Sequence, residues 1–336
     1  MGTARTAPPT SSLEGLTLYT SQRSADDPAR GSLYNPATLA AAAPVHFHPL
    51  TATSYVMVFS HRWYNATPDP AALGSYTVHT EDPTPCWVRI HASGAPALIG
   101  GGYEIPGTEN TTLVGACTRG TYLYVLSVDG SDSAVITQLY WNTGREIFVP
   151  VAQETLPMAE VGGHDVAFTR GIYIDGAHVV LVGAEEGGEI FLARKAWGKI
   201  GAWRLHDRAG WDLTARIDDV SWEYREDTGW STDPALATPL NLSTAGPVSV
   251  SRKGRTLHYA VVESDGDTRT GRIWSSTDTS PVWRDTGITA DLGTAGSTYL
   301  GGTLQLQSQL HADGIPCVTT VLESGGLNVI WSTATV

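Results

Sequence analysis

The stretch KGRTLHYAVVESDG, residues 253–266, sets the pattern from which the fold can be predicted. It starts at a polar turn containing glycine, continues through an apolar run rich in β-branched and aromatic residues, and stops at an acidic glycine turn. A second apolar run follows, which is typical of two antiparallel β-strands joined by a tight turn. The same order recurs at residues 119–130, 175–187 and 313–326.

A looser fifth copy lies near the start of the chain, at residues 54–87. In this copy Thr80, Asp82 and Trp87 have the same spacing as Ser276, Asp278 and Trp283. Short apolar runs on either side of each hairpin supply two more strand candidates per unit. The second strands are almost continuously apolar, which indicates that both faces of each sheet are covered. We therefore predict an all-β fold, a five-bladed β-propeller with four-stranded antiparallel blades.

The spacing of the units predicts where the chain is interrupted and how it closes. The first glycine of the pattern stands at positions 120, 176, 254 and 314, so the 78-residue step exceeds its neighbours of 56 and 60 by about 20 residues. We interpret the excess as an insertion at about 204–232 in the third blade. The last unit stops in its third strand, at 330–333, and a bare sheet edge exposes unpaired backbone groups. The segment LEGLTLYTS, residues 13–21, is therefore predicted to close the ring, with 1–12 as an N-terminal arm and 13–336 as the propeller.

Charge and composition argue against several classes of partner. The chain has 21 basic and 34 acidic residues, and this net charge of −13 repels phosphate backbones. Its three cysteines are too scattered for a disulfide framework or a metal-binding pair. The histidine pair His46 and His48 lacks a third ligand nearby, so we interpret both histidines as structural. The N-terminus has no secretory apolar core, and no run approaches the ~20 apolar residues of a membrane span. We expect no nucleic-acid partner, membrane, metal or cofactor.

The triplet Ser276, Asp278 and Trp283 resembles the Asp-box of sialidase-like propellers. In that family the box is a structural turn, in which the Asp and Ser side chains bond backbone amides of the same turn. Ser280 and Val282 depart from the family pattern. Even a true match would therefore imply a fold element without chemistry.

Five blades with a long insertion also resemble the propeller group that contains arabinanase-type and fructosidase-type glycoside hydrolases. The resemblance implies an axial pocket with a carboxylate base and a carboxylic acid on the innermost strands of different blades. At those positions the sequence offers Glu109, Glu160 and Asp165, while Asn35 stands where the family has its Asp base. Since hydrolysis needs two carboxylates about 5–9.5 Å apart, Asp165 with Glu109 is the best catalytic pair if the protein is an enzyme. The alternative, acids that hold turns or face solvent, favours a protein without catalytic residues.

The insertion has a composition that points to carbohydrate. The segment that contains it, residues 196–233, holds five of the eleven tryptophans, interspersed with acids. Indole rings stack on the apolar faces of sugars, and carboxylates accept hydrogen bonds from hydroxyl groups. An extra structural hairpin or a protein contact is the alternative for this segment. The glycan-binding candidates are Trp203, Trp211, Trp222, Trp230, Asp218 and Asp219.

Eighteen arginines to three lysines suit a high-GC actinobacterial genome, and a surface-type propeller carries no export signal. In these respects the chain resembles the propeller-bearing minor tail proteins of actinobacteriophages. The resemblance implies a non-enzymatic structural or adsorption protein of a phage tail tip, made in the host cytoplasm and present in several copies in the virion. Its implied partners are other phage tail proteins, with host cell-wall polysaccharide as the candidate ligand. The alternatives are a glycoside hydrolase or lyase acting on actinobacterial cell-wall polysaccharide, and a cytoplasmic propeller scaffold.

Overall fold

The structure, a computed structural model, is built almost entirely of antiparallel β-strands. It describes residues 46–51, 54–61, 64–68, 76–80, 84–91, 98–186, 188–197, 221–253, 255–265, 268–277, 282–294, 299–306, 316–322 and 327–331. Within these ranges the helical content is one 3-10 turn at Pro234–Leu236, and no helix there is long and apolar enough to span a membrane. The all-β prediction is confirmed.

The first two sheets each contain four strands. The strands of the first sheet and of its inserted hairpin are β1 (His46–Thr51), β2 (Ser54–His61), β3 (Tyr64–Pro68), β4 (Tyr76–Thr80), β5 (Thr84–His91) and β6 (Leu98–Glu104). They pair in the order β1-β2-β5-β6, with β3-β4 as a separate two-stranded sheet. The second sheet is a simple meander of β7 (Thr112–Arg119), β8 (Tyr122–Val128), β9 (Ala134–Asn142) and β10 (Ile147–Leu156).

The third sheet is the largest and carries the end of the predicted insertion. Its strands are β11 (Ala159–Val161), β12 (His164–Asp175), β13 (His178–Ala184), β14 (Glu189–Ala196), β15 (Glu223–Arg225), β16 (Trp230–Ser231) and β17 (Leu240–Ser243). The order is β11-β12-β13-β14-β15-β16, and β17 also pairs with β14. The described part of the insertion is therefore a small hairpin, β15-β16, added to the edge of this sheet.

The last two sheets repeat the meander. The fourth contains β18 (Ser249–Lys253), β19 (Thr256–Asp265), β20 (Thr268–Thr277) and β21 (Arg284–Thr294). The fifth contains β22 (Tyr299–Leu306), β23 (Pro316–Leu322) and β24 (Leu327–Trp331). Strand β24 pairs with β23 as the third strand described in this sheet, which agrees with the predicted strand at 330–331.

Consecutive sheets stack through their leading strands. Strand β7 contacts β1 and β12, β12 contacts β18, and β18 contacts β22. Gly171 in β12 shows how close this approach is, because a Cβ at that position would lie 2.2 Å from the carbonyl oxygen of Val248. The N–H of Val248 donates to the carbonyl oxygen of Arg170 at 2.6 Å, so the third and fourth sheets are joined backbone to backbone.

Apolar side chains fill the spaces between stacked sheets. The central strands β8 and β13 are buried almost along their whole length, as predicted for strands covered on both faces. Burying a Val, Leu, Ile or Phe side chain fully contributes about 1.5–3 kcal/mol, so these interfaces are the main source of stability. Representative side chains are Val58, Trp87 and Leu123 between the first and second sheets, Leu126, Phe168 and Leu181 between the second and third, and Val180, Val250 and Tyr259 between the third and fourth.

The first sheet departs from the predicted alignment of the repeats. Trp87 lies within β5, the third strand, opposite Val58. Trp283 instead lies just before β21, the fourth strand of its sheet, and Thr80 belongs to the β3-β4 hairpin. The shared spacing of the two triplets therefore does not reflect equivalent positions.

Repeated antiparallel sheets are thus confirmed, whereas the ring is not. The predicted arm at 1–12, the closing strand at 13–21 and residues 204–220 of the insertion lie outside the described residues. The five-bladed closure remains a prediction.

Candidate functional site

One end of the third sheet, where β12 begins and β13 turns into β14, carries four acids and one histidine. We call this group the acidic corner, and its members are Glu160, His164, Asp165, Glu185 and Glu189. Glu160 and Asp165 are paired residues of β11 and β12. The N–H of Glu185 donates to the carbonyl oxygen of Glu189 across the turn at 3.3 Å. Nδ1 of His164 lies 2.5 Å from Oε2 of Glu185, which connects the two turns.

A glycine fixes the backbone beneath the corner. Gly162, in the turn between β11 and β12, has φ of 60°, a conformation that side-chain-bearing residues rarely adopt. A Cβ there would lie 2.4 Å from the carbonyl oxygen of Ala237, and the Gly162 N–H donates to the carbonyl oxygen of Pro234 at 2.9 Å. The segment after the insertion therefore packs directly against this turn and fixes the start of β12.

The charges of the acidic corner are unfavourable for folding. Like charges directly opposite each other on neighbouring strands destabilise a sheet, and the corner contains two such pairs with one histidine. The imidazole of His164 packs against the ring of Phe191 at a centroid distance of 5.3 Å. Ligand atoms of His164, Glu185 and Glu189 all lie within 4.8 Å of one another. Such a group can exchange protons with a substrate, and it can also hold a divalent cation.

The two catalytic candidates taken from the sequence lie on different sheets, and their pairing remains a prediction. Asp165 belongs to the acidic corner, where it is exposed. Glu109 lies in the turn before β7 of the second sheet, and its carboxylate accepts the Gly107 N–H at 3.2 Å. Sequence reasoning missed Glu185 and Glu189, because the motif EEGGE resembles an ordinary acidic hairpin turn. The signal available in the sequence was that acids stand on both sides of the two glycines, which places carboxylates at both ends of one turn.

A cleft of about 540 Å³ opens between the third and fourth sheets at the other end of β12. We call it the lateral cleft. Tyr173 and Tyr259 form its buried floor, with their hydroxyl oxygens 3.1 Å apart, and burial raises the pKa of both. Trp230 and Trp283 are partly exposed on its walls, and the indole of Trp283 meets the Tyr259 ring edge-on at 4.5 Å.

The two described tryptophans among the predicted glycan-binding residues have different surroundings. Trp230 lines the lateral cleft, whereas the indole N–H of Trp222 donates to Glu154 at 2.9 Å. Glu154 also accepts two hydrogen bonds from Nζ of Lys195, at 2.8 and 2.9 Å, across the second and third sheets. Trp222 therefore anchors the insertion, and Trp230 remains the glycan-binding candidate. The other four candidates, Trp203, Trp211, Asp218 and Asp219, lie outside the described residues.

His46 and His48 are buried between the first and second sheets, which agrees with a structural pair. Nε2 of His46 donates to the carbonyl oxygen of Val114 at 3.3 Å, and the two rings stack nearly parallel with centroids 6.4 Å apart. Burial lowers the pKa of His46 to about 4 and that of His48 to about 3. Both imidazoles are therefore neutral at pH 7.

Comparison with solved structures relates the fold to enzymes. The catalytic domain of a GH62 α-L-arabinofuranosidase from Coprinopsis cinerea aligns over 97% of this chain and 98% of its own, with a TM-score of 0.50 and 10% identity. An α-L-arabinofuranosidase from Podospora anserina, solved with cellotriose, aligns over the same shares with a TM-score of 0.52 and 11% identity. No protein-family model and no curated protein matches the sequence. At this identity the likeness establishes a shared propeller-like fold.

These neighbours contradict the prediction of a non-enzymatic phage tail protein. Both of these structures, which share the fold over nearly the whole chain, are α-L-arabinofuranosidases, so the preference against an enzyme is wrong, and the resemblance to phage tail proteins is unconfirmed. The reason lies in what the repeats encode. Glycine turns and apolar strands specify stacked sheets, but they do not distinguish a hydrolase scaffold from a tail scaffold.

Proposed function

We propose that this protein is a glycoside hydrolase that acts on an arabinose-containing polysaccharide, with its chemistry at the acidic corner. The observation that carries the proposal is the position of Glu185 and Glu189 at the two ends of one turn, each with a carboxylate oxygen within 4.8 Å of the other and of His164. Carboxyl groups about 5–5.5 Å apart are the arrangement of retaining glycosidases. The substrate class follows the two arabinofuranosidases that share the fold.

The geometry suggests a role for each side chain. His164 holds Glu185 through a hydrogen bond, and the Glu185 side chain is only 23% exposed, which suits an oriented nucleophile. Its oxygen would attack the anomeric carbon while the glycosidic C–O bond breaks and the exposed Glu189 gives its proton to the leaving oxygen. Glu189 would then take a proton from water, whose oxygen attacks the same carbon and releases Glu185 as a carboxylate. Asp165 follows His164 in β12 and therefore points to the other face of the sheet, so it takes no part in these steps.

The test is the release of sugar from soluble arabinogalactan and from arabinan. Glu185→Gln and Glu189→Gln are each expected to lower the rate by at least about 10²-fold, the scale of a lost acid-base group. Glu186→Gln, an exposed acid in the same turn, is the matched control and should leave the rate unchanged. Azide should restore turnover to Glu185→Ala by replacing the nucleophile, which a merely structural glutamate would not allow.

The same assay compares the corner with the pair chosen from sequence. Asp165→Asn should lower the rate less than either glutamate variant, and Glu109→Gln should leave it unchanged. A protein that releases no sugar from either polymer, or whose activity depends on Asp165 and Glu109 alone, contradicts the assignment to Glu185 and Glu189.

We also propose that the five sheets close into a five-bladed ring, with residues 13–21 adding a fourth strand beside β24. The support is that the described part of the fifth sheet has three strands, whereas the first, second and fourth have four. Removing residues 1–21 should lower the melting temperature by several degrees, while removing 1–12 should not. Equal melting temperatures for the two deletions would exclude this closure.

A further inference from the structure

We infer that the lateral cleft is a second carbohydrate-binding site, which holds a neutral segment of the polysaccharide away from the acidic corner. The inference rests on the proposed function only for the class of ligand. The two sites lie at opposite ends of β12, since the corner includes His164 at its start and the cleft includes Asp175 at its end. One extended chain could therefore contact both.

The size and walls of the lateral cleft suit a short oligosaccharide. Its volume of about 540 Å³ falls within the roughly 300–1,000 Å³ typical of small-molecule sites. Trp230 and Trp283 present apolar aromatic surface, and Asn241 and Asp227 supply polar groups on the same walls. Aromatic rings beside a few placed polar groups match the alternation of C–H faces and hydroxyls on a sugar.

Trp230 is held in place before any ligand binds. The guanidinium of Arg194 lies 4.3 Å from its ring centroid, and that of Arg225 lies 5.9 Å away. Arg225 also donates from Nη1 to the carbonyl oxygen of Gly229 at 2.9 Å, which closes the β15-β16 hairpin. Stacking of this kind fixes the indole, so little conformational entropy is lost when a sugar packs on it.

The charge of the cleft favours a neutral ligand. Its lining contains three acids, Asp175, Glu226 and Asp227, and two arginines, Arg225 and Arg252, which leaves a net charge of −1. Arg252 contacts Asp175 at 3.0 Å, so that pair is internally balanced. A site for a polyanion would need an excess of cations. A neutral glycan can accept hydrogen bonds from the guanidinium groups and donate hydroxyls to the carboxylates.

Binding is measured with soluble arabinogalactan, by tryptophan fluorescence, on a background of Glu185→Gln and Glu189→Gln so that the polymer is not cleaved. Trp230→Ala should weaken binding about tenfold or more, as expected for loss of an aromatic anchor. Trp230→Tyr should retain most of the affinity. Asn241→Ala, at an exposed position, should weaken binding while keeping the melting temperature of the parent protein.

The outcomes separate this inference from the proposed function. Binding that depends on Trp230 and Asn241 in a protein that never releases sugar would support the cleft and refute the hydrolase. Sugar release with unchanged binding in Trp230→Ala, Trp283→Ala and Asn241→Ala would refute the cleft and keep the hydrolase. If Trp230→Ala does not fold, Trp283→Ala and Asn241→Ala decide the question.

Discussion

The two ends of the third sheet differ in whether their acidic side chains are paired with cations. In the half near the end of β12, three acids each contact a cation, and the pairs are Glu154–Lys195 at 2.8 Å, Asp175–Arg252 at 3.0 Å and Glu223–Arg194 at 2.7 Å. At the start of β12, the carboxylates of Glu185 and Glu189 lie beside His164, and Glu160 is paired with Asp165. Paired charges hold neighbouring strands and sheets together, whereas opposed carboxylates cost stability. Under the proposed function, the acidic corner keeps this unfavourable arrangement because its carboxylates act in catalysis.

Breaking the best-buried pair should give the largest effect. Lys195 and Glu154 have side chains that are only 7% and 19% exposed, so Lys195→Met leaves a largely buried carboxylate without its cation. Such a loss typically costs about 3–5 kcal/mol of unfolding free energy, which urea denaturation measures. The carboxylate would keep only the indole N–H of Trp222 as a described partner.

A double variant and a surface pair provide the controls. Glu154→Gln combined with Lys195→Met should recover at least half of the loss, because the buried negative charge is gone while the amide oxygen can still accept from Trp222. Glu263→Gln, which removes a contact of Arg272 at 2.9 Å on the fourth sheet, should cost far less than Lys195→Met, because solvent screens this exposed pair. Equal losses of unfolding free energy for Lys195→Met and Glu263→Gln would show that the buried pair stabilises the fold no more than an exposed one.

The sequence predicted the paired sheets better than the charges between them. Strands β19 and β20 follow from local signals, namely apolar runs rich in valine and tyrosine with an acidic glycine turn between them. The copy at Thr80 and Trp87 failed, because a hairpin inserted between β2 and β5 preserved the spacing while changing the strand. Short spacing alone cannot distinguish a displaced strand from an equivalent one.

The candidate sites depend on tertiary contacts and could be predicted only in part. Asp165 was chosen for its place at the start of an inner strand, yet the contact between His164 and Glu185 joins residues 21 positions apart and requires the β12-β13 pairing. In the sequence, Trp222 and Trp230 stand among similar acidic residues and cannot be told apart. Only the position of Glu154 shows that the first is an anchor, and only the neighbouring fourth sheet shows that the second faces a cleft.

Acid should lower the unfolding free energy through a second kind of uncompensated group, the buried histidines of the first sheet. Their pKa values are lowered, so below pH 6.5 the unfolded chain binds protons that the folded protein does not. Stability is therefore full above pH 6.5 and falls as the pH drops toward the folded pKa values of about 4 and 3. From pH 7 to 5.5 the two imidazoles together should cost about 2.5 kcal/mol.

Urea denaturation across this pH range measures how steeply the unfolding free energy changes with pH. The variant with His46→Gln and His48→Gln cannot bind these protons, so its stability should change less between pH 7 and 5.5. A single His48→Gln should remove about half of the difference. An unchanged slope in the double variant would mean that other groups control acid unfolding.

The smallest effect is the sharpest test of the contrast, because it predicts opposite signs for the same substitution. In its ionised form Glu189 repels Glu185, so Glu189→Gln should raise the unfolding free energy by about 0.2–1 kcal/mol when both carboxylates are charged. Glu223→Gln removes the partner of Arg194, in a pair with side chains 23% and 33% exposed, and should lower it by a similar amount. Both changes should shrink at 1 M salt, where charges are screened within about 3 Å. Under the proposed function Glu189→Gln would be more stable and inactive, which is the trade expected of a site that costs stability in order to act. Two changes of the same sign would show that the ends of the sheet do not differ in how they use charge.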